Sequence, residues 1–225
     1  MRFKMLFVFA FPLVWSLSGQ SSQTGNWLMY FGNQSIDERW NFHNEIQYRN
    51  YNLLGDTEQL LLRTGVGYNL SEKNNNLLAG YAFVRSHRYI FKTEDKFSFD
   101  EHRIFQQFIN RHSSGKLFFQ HRFRFEERFL QNDLRLRFRY FLAVNIPLNK
   151  SAMNPGAIYL SFYNEIFLSD DNPVFDRDRI YGAAGIVMSK YIRAEIGFMS
   201  QILEASHRNQ FQLAVFNNTP FFNND

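Results

Sequence analysis

The sequence predicts an all-β fold in which antiparallel strands run up and down and close into a transmembrane β-barrel. Three observations predict it: apolar and polar residues alternate over most of the chain, the alternating segments are long, and two kinds of connection take turns between them. Alternation carries this meaning because successive side chains of a β-strand point to opposite faces. We expect about ten strands, with twelve as the alternative count, because single-chain bacterial barrels have even numbers.

The clearest alternation lies in residues 134–146, which read LRLRFRYFLAVNI. One face carries only apolar side chains and tyrosine, whereas the other carries Arg135, Arg137 and Arg139 before it continues with Phe141, Ala and Asn. A soluble protein would bury the apolar face against a second layer of structure. A transmembrane barrel places that face against lipid and the polar face towards its lumen. The second arrangement gives the three arginines a polar surrounding.

The same pattern recurs along the chain. Segments of this kind are residues 40–49, 60–70, 77–85, 117–126, 158–168 and 192–201, whereas the phase is ambiguous in residues 101–109, 179–188 and 210–216. An earlier strand-like run at residues 26–31 has no defined place in a barrel of ten. No stretch keeps a period of 3.6 residues, so no helix is predicted.

Strand length and connections favour lipid over a second protein layer. The strands run about 9 to 14 residues, which suits a tilted membrane strand, whereas strands of soluble proteins average about 5 to 6 residues. Short polar turns alternate with a second set of connections that includes the longest one. The first set is 32–37, 71–76, 110–115, 147–156 and 189–191, and the second is 51–58, 86–100, 130–133, 169–178 and 203–206. We expect the first set in the periplasm and the second outside the cell.

The N-terminus has the layout of a secretory signal peptide. Arg2 and Lys4 precede an apolar run at residues 5–15, and small residues follow at 16–19. We therefore expect a signal peptide over residues 1–19 and a single barrel domain over residues 20–225. No later segment approaches about eighteen consecutive apolar residues, which excludes an α-helical membrane protein.

Composition agrees with an exported barrel and argues against nucleic acid as a partner. Aromatic residues make up 18% of the 225 residues, yet the mean hydropathy is −0.37. That pairing suits strands whose outward apolar residues alternate with polar inward ones. The chain has no cysteine, so disulfides do not stabilise it. The net charge of +4 is spread along the strands rather than clustered in a basic patch.

The candidate functional site is the row of charged residues that the alternation turns towards the lumen. Its members are Glu45, Arg49, Arg63, Arg122, Arg124, Glu126, Arg135, Arg137, Arg139, Glu165, Arg193 and Glu195. Guanidinium groups match the oxygens of phosphates, anionic sugars and lipid headgroups. The alternative is a lumen in which Arg–Glu pairs close a narrow barrel, and the sequence favours it because about eight strands enclose only enough space for side chains.

Catalytic and metal signatures are weak. The six histidines are scattered and none has the spacing of a metal site. His43 faces the lumen near Glu45 and could pair with a serine such as Ser161, but no Gly-x-Ser-x-Gly element is present. The acidic residues at 170–171 and 176–178 lack the calcium-loop spacing and suit a solvated loop. We expect no catalytic residue, metal or cofactor.

Several segments resemble a known family. They are the Trp27 strand, the strand with Glu45-Ile-Gln-Tyr-Arg, the arginine-alternating strand, Arg179-Ile-Tyr-Gly-Ala and Ile192-Arg-Ala-Glu-Ile-Gly-Phe. Together they are similar to domain of unknown function 2490, which occurs in Gram-negative bacteria, especially Bacteroidetes. The resemblance covers residues 25–216. It implies an outer-membrane location and a barrel fold, and it transfers no catalytic residues.

The sequence therefore predicts a monomeric bacterial outer-membrane β-barrel with a structural, surface-binding or narrow transport role. Its expected partners are outer-membrane lipid and, during biogenesis, the barrel-assembly machinery. Two alternatives stay open. One is an outer-membrane lipid hydrolase or deacylase, and the other is a soluble periplasmic lipocalin-like barrel with an apolar ligand.

Overall fold

A computed structural model describes residues 24–53, 55–71, 74–131 and 133–222. The signal peptide predicted for residues 1–19 lies outside them. Eleven strands make up the fold: β1 (Gly25–Ser35), β2 (Trp40–Asn50), β3 (Thr57–Asn69), β4 (Asn75–Tyr89), β5 (Lys96–Ser114), β6 (Leu117–Leu130), β7 (Asp133–Pro147), β8 (Ile158–Ser169), β9 (Phe175–Val187), β10 (Ile192–Ile202) and β11 (His207–Asn217). Among the described residues, no helix is long and apolar enough to cross a membrane.

The strands close into one barrel. Each strand is antiparallel to the next along the chain, and β1 pairs with β11 in parallel from Gly25↔Gln210 to Gly32↔Asn217. The predicted all-β, up-and-down barrel is confirmed. The expectation of an even number is wrong, because the run at residues 26–31 is a wall strand and parallel pairing lets an odd number close. Residues 24 and 222 consequently lie at opposite ends of the barrel.

The two sets of connections lie at opposite ends, as the sequence predicts. We call the end where β1 begins the loop end and the end where β1 finishes the turn end. Most of the described strands have 11 to 14 residues, as expected, whereas β4, β5 and β7 are longer, with 15, 19 and 15 residues. The expected connection at residues 86–100 shrinks to residues 90–95, because β4 and β5 extend into it.

Side chains alternate between the outer wall and the lumen in the predicted phase. In β7, Leu134 and Phe138 point outward with 53% and 40% exposure, whereas Arg137 and Arg139 point inward with 4% and 6%. Charged residues are thus buried inside while apolar residues face outward, which is the reverse of a soluble protein.

Close packing and turn chemistry fix the register locally. Gly65 and Gly80 face each other across β3 and β4, and a Cβ on Gly80 would collide with the Thr64 carbonyl. In the turn from β1 to β2, the Asp37 carboxylate accepts hydrogen bonds from the backbone N–H groups of Trp40 and Arg39, each at 2.7 Å. These two bonds lower the pKa of Asp37 below its ordinary value.

Candidate functional site

The middle of the lumen is organised around Glu126 on β6, whose side chain is fully buried. Arg139 Nη1 donates to Glu126 Oε1 at 2.6 Å, and Arg137 Nη2 donates to Glu126 Oε2 at 2.5 Å. Arg124 and Arg63 approach Glu126 Oε1 more loosely, at 3.6 and 3.8 Å. A buried carboxylate is tolerated when several hydrogen-bonded cations surround it, so one glutamate holds four arginines in place.

Glu165 on β8 is a second centre of the same kind. Its Oε1 accepts hydrogen bonds from Arg122 Nη2 and Arg139 Nη2, both at 2.7 Å, and Arg179 Nη1 lies 3.6 Å from its Oε2. Arg139 therefore joins the two glutamates into one network.

Glu45 on β2 extends this network. It accepts hydrogen bonds from Arg63 and Gln47, and His43 Nε2 lies 3.3 Å from its Oε2. Arg63 thus connects Glu45 with Glu126.

Several of these contacts cross the interior rather than follow the wall. Arg63 on β3 reaches Glu126 on β6, and Arg137 on β7 reaches Asp176 on β9 with its Nη1 3.3 Å from Oδ2. Phe167 lies under this network, with the Cζ atoms of Arg139 and Arg179 at 4.4 and 4.5 Å from its ring centroid. Long side chains therefore fill the cross-section at this level.

Towards the loop end, further pairs continue the network. Glu101 Oε1 accepts hydrogen bonds from Arg103 Nε and Arg128 Nε, both at 2.6 Å. Arg135 lies at the rim, where its side chain is 44% exposed and pairs with Asp133 at 2.7 Å and Asp171 at 2.8 Å. It belongs to the mouth of the barrel rather than to the buried network.

Towards the turn end, tyrosines replace most of the charges. Glu195 Oε1 accepts hydrogen bonds from Tyr159 Oη at 2.9 Å and from Arg193 Nη1 at 3.3 Å. The rings of Tyr163 and Tyr181 stack with centroids 4.5 Å apart. The lumen is therefore most strongly charged in its middle and loop-end parts.

Arg49 on β2 differs from the other buried arginines. Of the seven that are buried, six lie within 4.0 Å of a carboxylate, and Arg49 does not, as far as the described residues show. It stacks instead on Trp27, with its Cζ 3.6 Å from the ring centroid.

The predicted residues fall into three groups. Nine are buried, namely Glu45, Arg49, Arg63, Arg124, Glu126, Arg137, Arg139, Glu165 and Glu195. Arg122 and Arg193 are partly exposed within the lumen, and Arg135 lies at the rim. The sequence reasoning missed Glu101, Arg103, Gln107 and Arg179, which lie in the segments of ambiguous phase. Glu101, Arg103 and Gln107 are separated by even numbers of residues, which places them on one face of a strand. That spacing was the available signal.

The histidine and serine that raised the enzyme alternative do not come together. His43 contacts Glu45, and in the described part of the chain no hydrogen bond joins it to Ser161. Nor do the described residues bring together three or more His, Asp or Glu side chains in a group that could hold a metal ion.

The fold and the lumen show which class of protein this is. It is a closed, mainly antiparallel β-barrel with an apolar outer wall and an arginine-rich interior. The family described as "Protein of unknown function (DUF2490)" matches residues 24–212. The chain belongs to this family, as its sequence motifs predict. No curated protein matches it.

Two solved structures are similar to the chain. One is OmpT (in-vitro folded), an outer membrane protein of Vibrio cholerae, with 12% identity, a TM-score of 0.40 and coverage of 75% of this chain. The other is its trimer form, with 10% identity, a TM-score of 0.39 and coverage of 76%. The chain spans 52% and 61% of those two chains.

Proposed function

We propose that this protein is an outer-membrane β-barrel of a Gram-negative bacterium and that ion pairs close its lumen. The observation that carries the proposal is the direction of the alternation. Apolar side chains cover the outer wall, and charged side chains are buried inside. A transmembrane barrel needs this arrangement, because its exterior contacts hydrocarbon and its interior is polar.

The outer wall is too apolar for an aqueous surrounding. Monomeric soluble proteins rarely expose a continuous apolar patch larger than a few hundred Å². Here exposed apolar residues follow each other around the barrel, including Ile46, Leu62, Ile104, Phe123, Phe138, Phe162, Ile180, Ile196 and Leu213. Lipid is the solvent that removes this surface from water.

Both alternatives fit the molecule less well. A lipocalin-like carrier holds its apolar ligand inside an apolar cavity, whereas this interior contains Glu126, Arg124 and their partners. A lipid hydrolase needs a nucleophile within reach of a base, and His43 makes its contact with Glu45 rather than with Ser161.

A closed lumen favours a structural or surface-binding role over transport. Barrels with open aqueous channels have about sixteen to eighteen strands, and this one has eleven. Its arginines also reach across the interior to carboxylates on non-neighbouring strands. Breaking such buried pairs to admit a solute costs about 3–5 kcal/mol for each charge left unpaired.

The remaining parts of the proposal concern export and assembly. Residues 1–19 act as a cleaved signal peptide, and the barrel-assembly machinery inserts the barrel as a monomer. The loop end faces the outside and the turn end faces the periplasm. Because the chain has no cysteine, single cysteines at Ser206 and Ser189 can report this orientation through labelling of intact cells. Labelling of Ser189→Cys alone would reverse it.

Cell fractionation tests the membrane assignment. The protein should pellet with the outer membrane, stay there after a high-salt wash and migrate faster on a gel before boiling than after it. Release by osmotic shock in a soluble form would contradict the proposal and favour the periplasmic carrier.

Conductance tests the closed lumen separately. Reconstituted into a planar bilayer, the protein should give no stepwise conductance under conditions in which a sixteen-stranded porin does. Steady ohmic steps from the wild-type protein would overturn the closed lumen and leave the membrane assignment standing.

A further inference from the structure

We propose that the lumen binds an oxyanion beside Trp27, where β1 meets β2 and β11 in its loop-end half. The ligand is a phosphate, sulfate or carboxylate group, free in solution or carried by a soluble molecule that enters from the loop end. The site adjoins the Arg–Glu network of the middle of the lumen through Arg179, which lies 3.6 Å from Glu165 Oε2.

The first argument is the unpaired charge of Arg49. Arg49 is 8% exposed, and within the described residues the hydrogen bond of its guanidinium is to Gln47 Oε1, from Nη2 at 3.4 Å. Other charges facing it are mainly positive, from Arg103, Arg177 and Arg208, with Glu58 as the negative one. A buried cation without a counter-charge is costly, so an anion from solution is stabilised here.

The second argument is a group of unpartnered donors around the same ring. Trp27 Nε1, Arg49 Nε and Gln212 Nε2 have no hydrogen-bond partner in the described part of the chain, although their residues are buried. The register pairs Trp27 directly with both Arg49 and Gln212, so these donors lie on three adjacent strands at one level. A buried donor without a partner is destabilising, so a negatively charged acceptor at this level is stabilised by the donors it reaches.

Neighbouring groups add selectivity for a negative oxygen. Arg179 also lies near Trp27, with its Cζ 5.0 Å from the ring centroid. Gln212 Oε1 already accepts from Tyr163 Oη at 3.3 Å, which leaves the amide nitrogen free to donate. Donors of fixed geometry, a guanidinium fork above all, suit the several oxygens of phosphate, sulfate or carboxylate.

Unpartnered acceptors lie nearer the mouth. Among the residues that the structure describes, Asn50 Oδ1, Glu58 Oε2 and Gln210 Oε1 have no hydrogen-bond partner. The register places Asn50 beside Asn26 and Gln210 beside Gly25. The hydroxyl groups of a substituted ligand can donate to these acceptors. A ligand would therefore place its anionic group beside Trp27 and its polar substituents nearer the loop end.

Tryptophan fluorescence tests the site, because Trp27 is part of it. The chain has tryptophan at 15, 27 and 40, so W15F/W40F leaves Trp27 as the only reporter. We expect inorganic phosphate, added at constant ionic strength with KCl to the folded protein in detergent, to change its emission saturably. We also expect phosphate to raise the unfolding temperature. No saturable change in the low-millimolar range would overturn the proposal.

Variants distinguish the site from general charge effects. Arg49→Gln should weaken phosphate binding at least tenfold, whereas Arg135→Gln at the rim should leave it unchanged. An equal loss in both variants, or no loss in Arg49→Gln, would contradict the assignment.

A second variant covers the case in which Arg49→Gln does not fold. Gln212→Glu adds a carboxylate at the level of Trp27, across β1 from Arg49, so we expect it to raise the unfolding temperature without phosphate and to abolish the response to phosphate. A less stable variant that still binds phosphate would overturn the proposal. Parallel titrations with sulfate, acetate and glycerol phosphate then distinguish two kinds of site. Glycerol phosphate binds at least as well as inorganic phosphate if the site accepts a substituted group, and binds more weakly if the site takes free anions.

Discussion

The outer wall and the lumen are built by the same strands and differ by a single step along the chain. In β7, Arg137 and Arg139 are buried among carboxylates, whereas Phe138 between them faces outward with neighbours such as Phe125 and Leu168 beside it. The wall is mainly apolar, and its side chains depend less on particular partners. The lumen is specific, because each charge depends on a particular partner. Position relative to the sheet, rather than position in sequence, therefore decides what a substitution does.

We expect the largest loss of stability from a substitution of Glu126 in the lumen. Glu126→Gln removes the negative charge that four arginines share, and breaking buried pairs of this kind costs about 3–5 kcal/mol. We expect a large fall in the temperature at which the folded gel band disappears. Glu127→Gln is the matched control, because Glu127 is the next residue, points to the outer wall and accepts a hydrogen bond from Gln106 Nε2 at 3.4 Å. Equal effects of the two variants would contradict the difference between the faces.

We expect the second-largest effect from a charge introduced on the outer wall. Phe138→Arg puts a cation on the outward apolar face, which in a transmembrane barrel costs about 2–4 kcal/mol near the midplane of the bilayer. Arg137→Ala leaves Glu126 with Arg139, Arg124 and Arg63. We therefore expect Phe138→Arg to reduce the amount of protein assembled in the membrane much more than Arg137→Ala does. Equal assembly of the two variants would count against the assigned phase.

Shape matters inside the barrel at Gly80, which lies in the lumen-facing phase of β4 with the buried Leu78 and Ala82. Gly80→Ala adds a Cβ that collides with the Thr64 carbonyl and lies 2.8 Å from Phe105 Cζ, so we expect a loss of about 1–3 kcal/mol, as for overpacking in general. Gly182→Ala is the control, because its Cβ would meet only Phe162 at 3.5 Å. The free energy of unfolding in urea and detergent measures both, and a neutral Gly80→Ala would show that β3 and β4 can separate without cost.

The smallest effect is expected at the turn end, away from both faces. Asp37→Ala removes two hydrogen bonds to backbone N–H groups and should lower stability slightly at neutral pH. The pKa of Asp37 is lower in the folded state, so its contribution is present above the unfolded pKa and is lost as pH falls through the folded value. The difference in melting temperature between wild type and Asp37→Ala should therefore shrink on acidification. A difference independent of pH would contradict this role.

Most of the wall could be predicted from sequence, because alternation is a local signal. In β7, strict alternation fixed the phase, whereas in β5 the polar His102 and Gln106 point outward and obscured it. In β9, glycine and alanine lie on both faces, so apolar and polar residues do not alternate clearly there. Glu101, Arg103 and Arg179 were missed for these reasons.

Other features have no local signature. The parallel pairing of β1 with β11 joins residues about two hundred positions apart, and no sequence pattern near Trp27 predicts this pairing. The same holds for the isolation of Arg49, since a missing partner depends on strands that are distant in sequence. The pairing of individual arginines with Glu126 or Glu165 likewise follows from barrel closure.

Lipid contact along β7 is the most direct test of the account. Single cysteines from residue 134 to residue 146, in a chain that has none of its own, can carry spin labels in the reconstituted protein. We predict that oxygen accessibility alternates with a period of two residues and is highest at Phe138 and Leu142, where a water-soluble relaxation agent should have little effect. High access of the water-soluble agent at Phe138 and Leu142, with low access of oxygen, would contradict the claim that lipid covers the apolar wall.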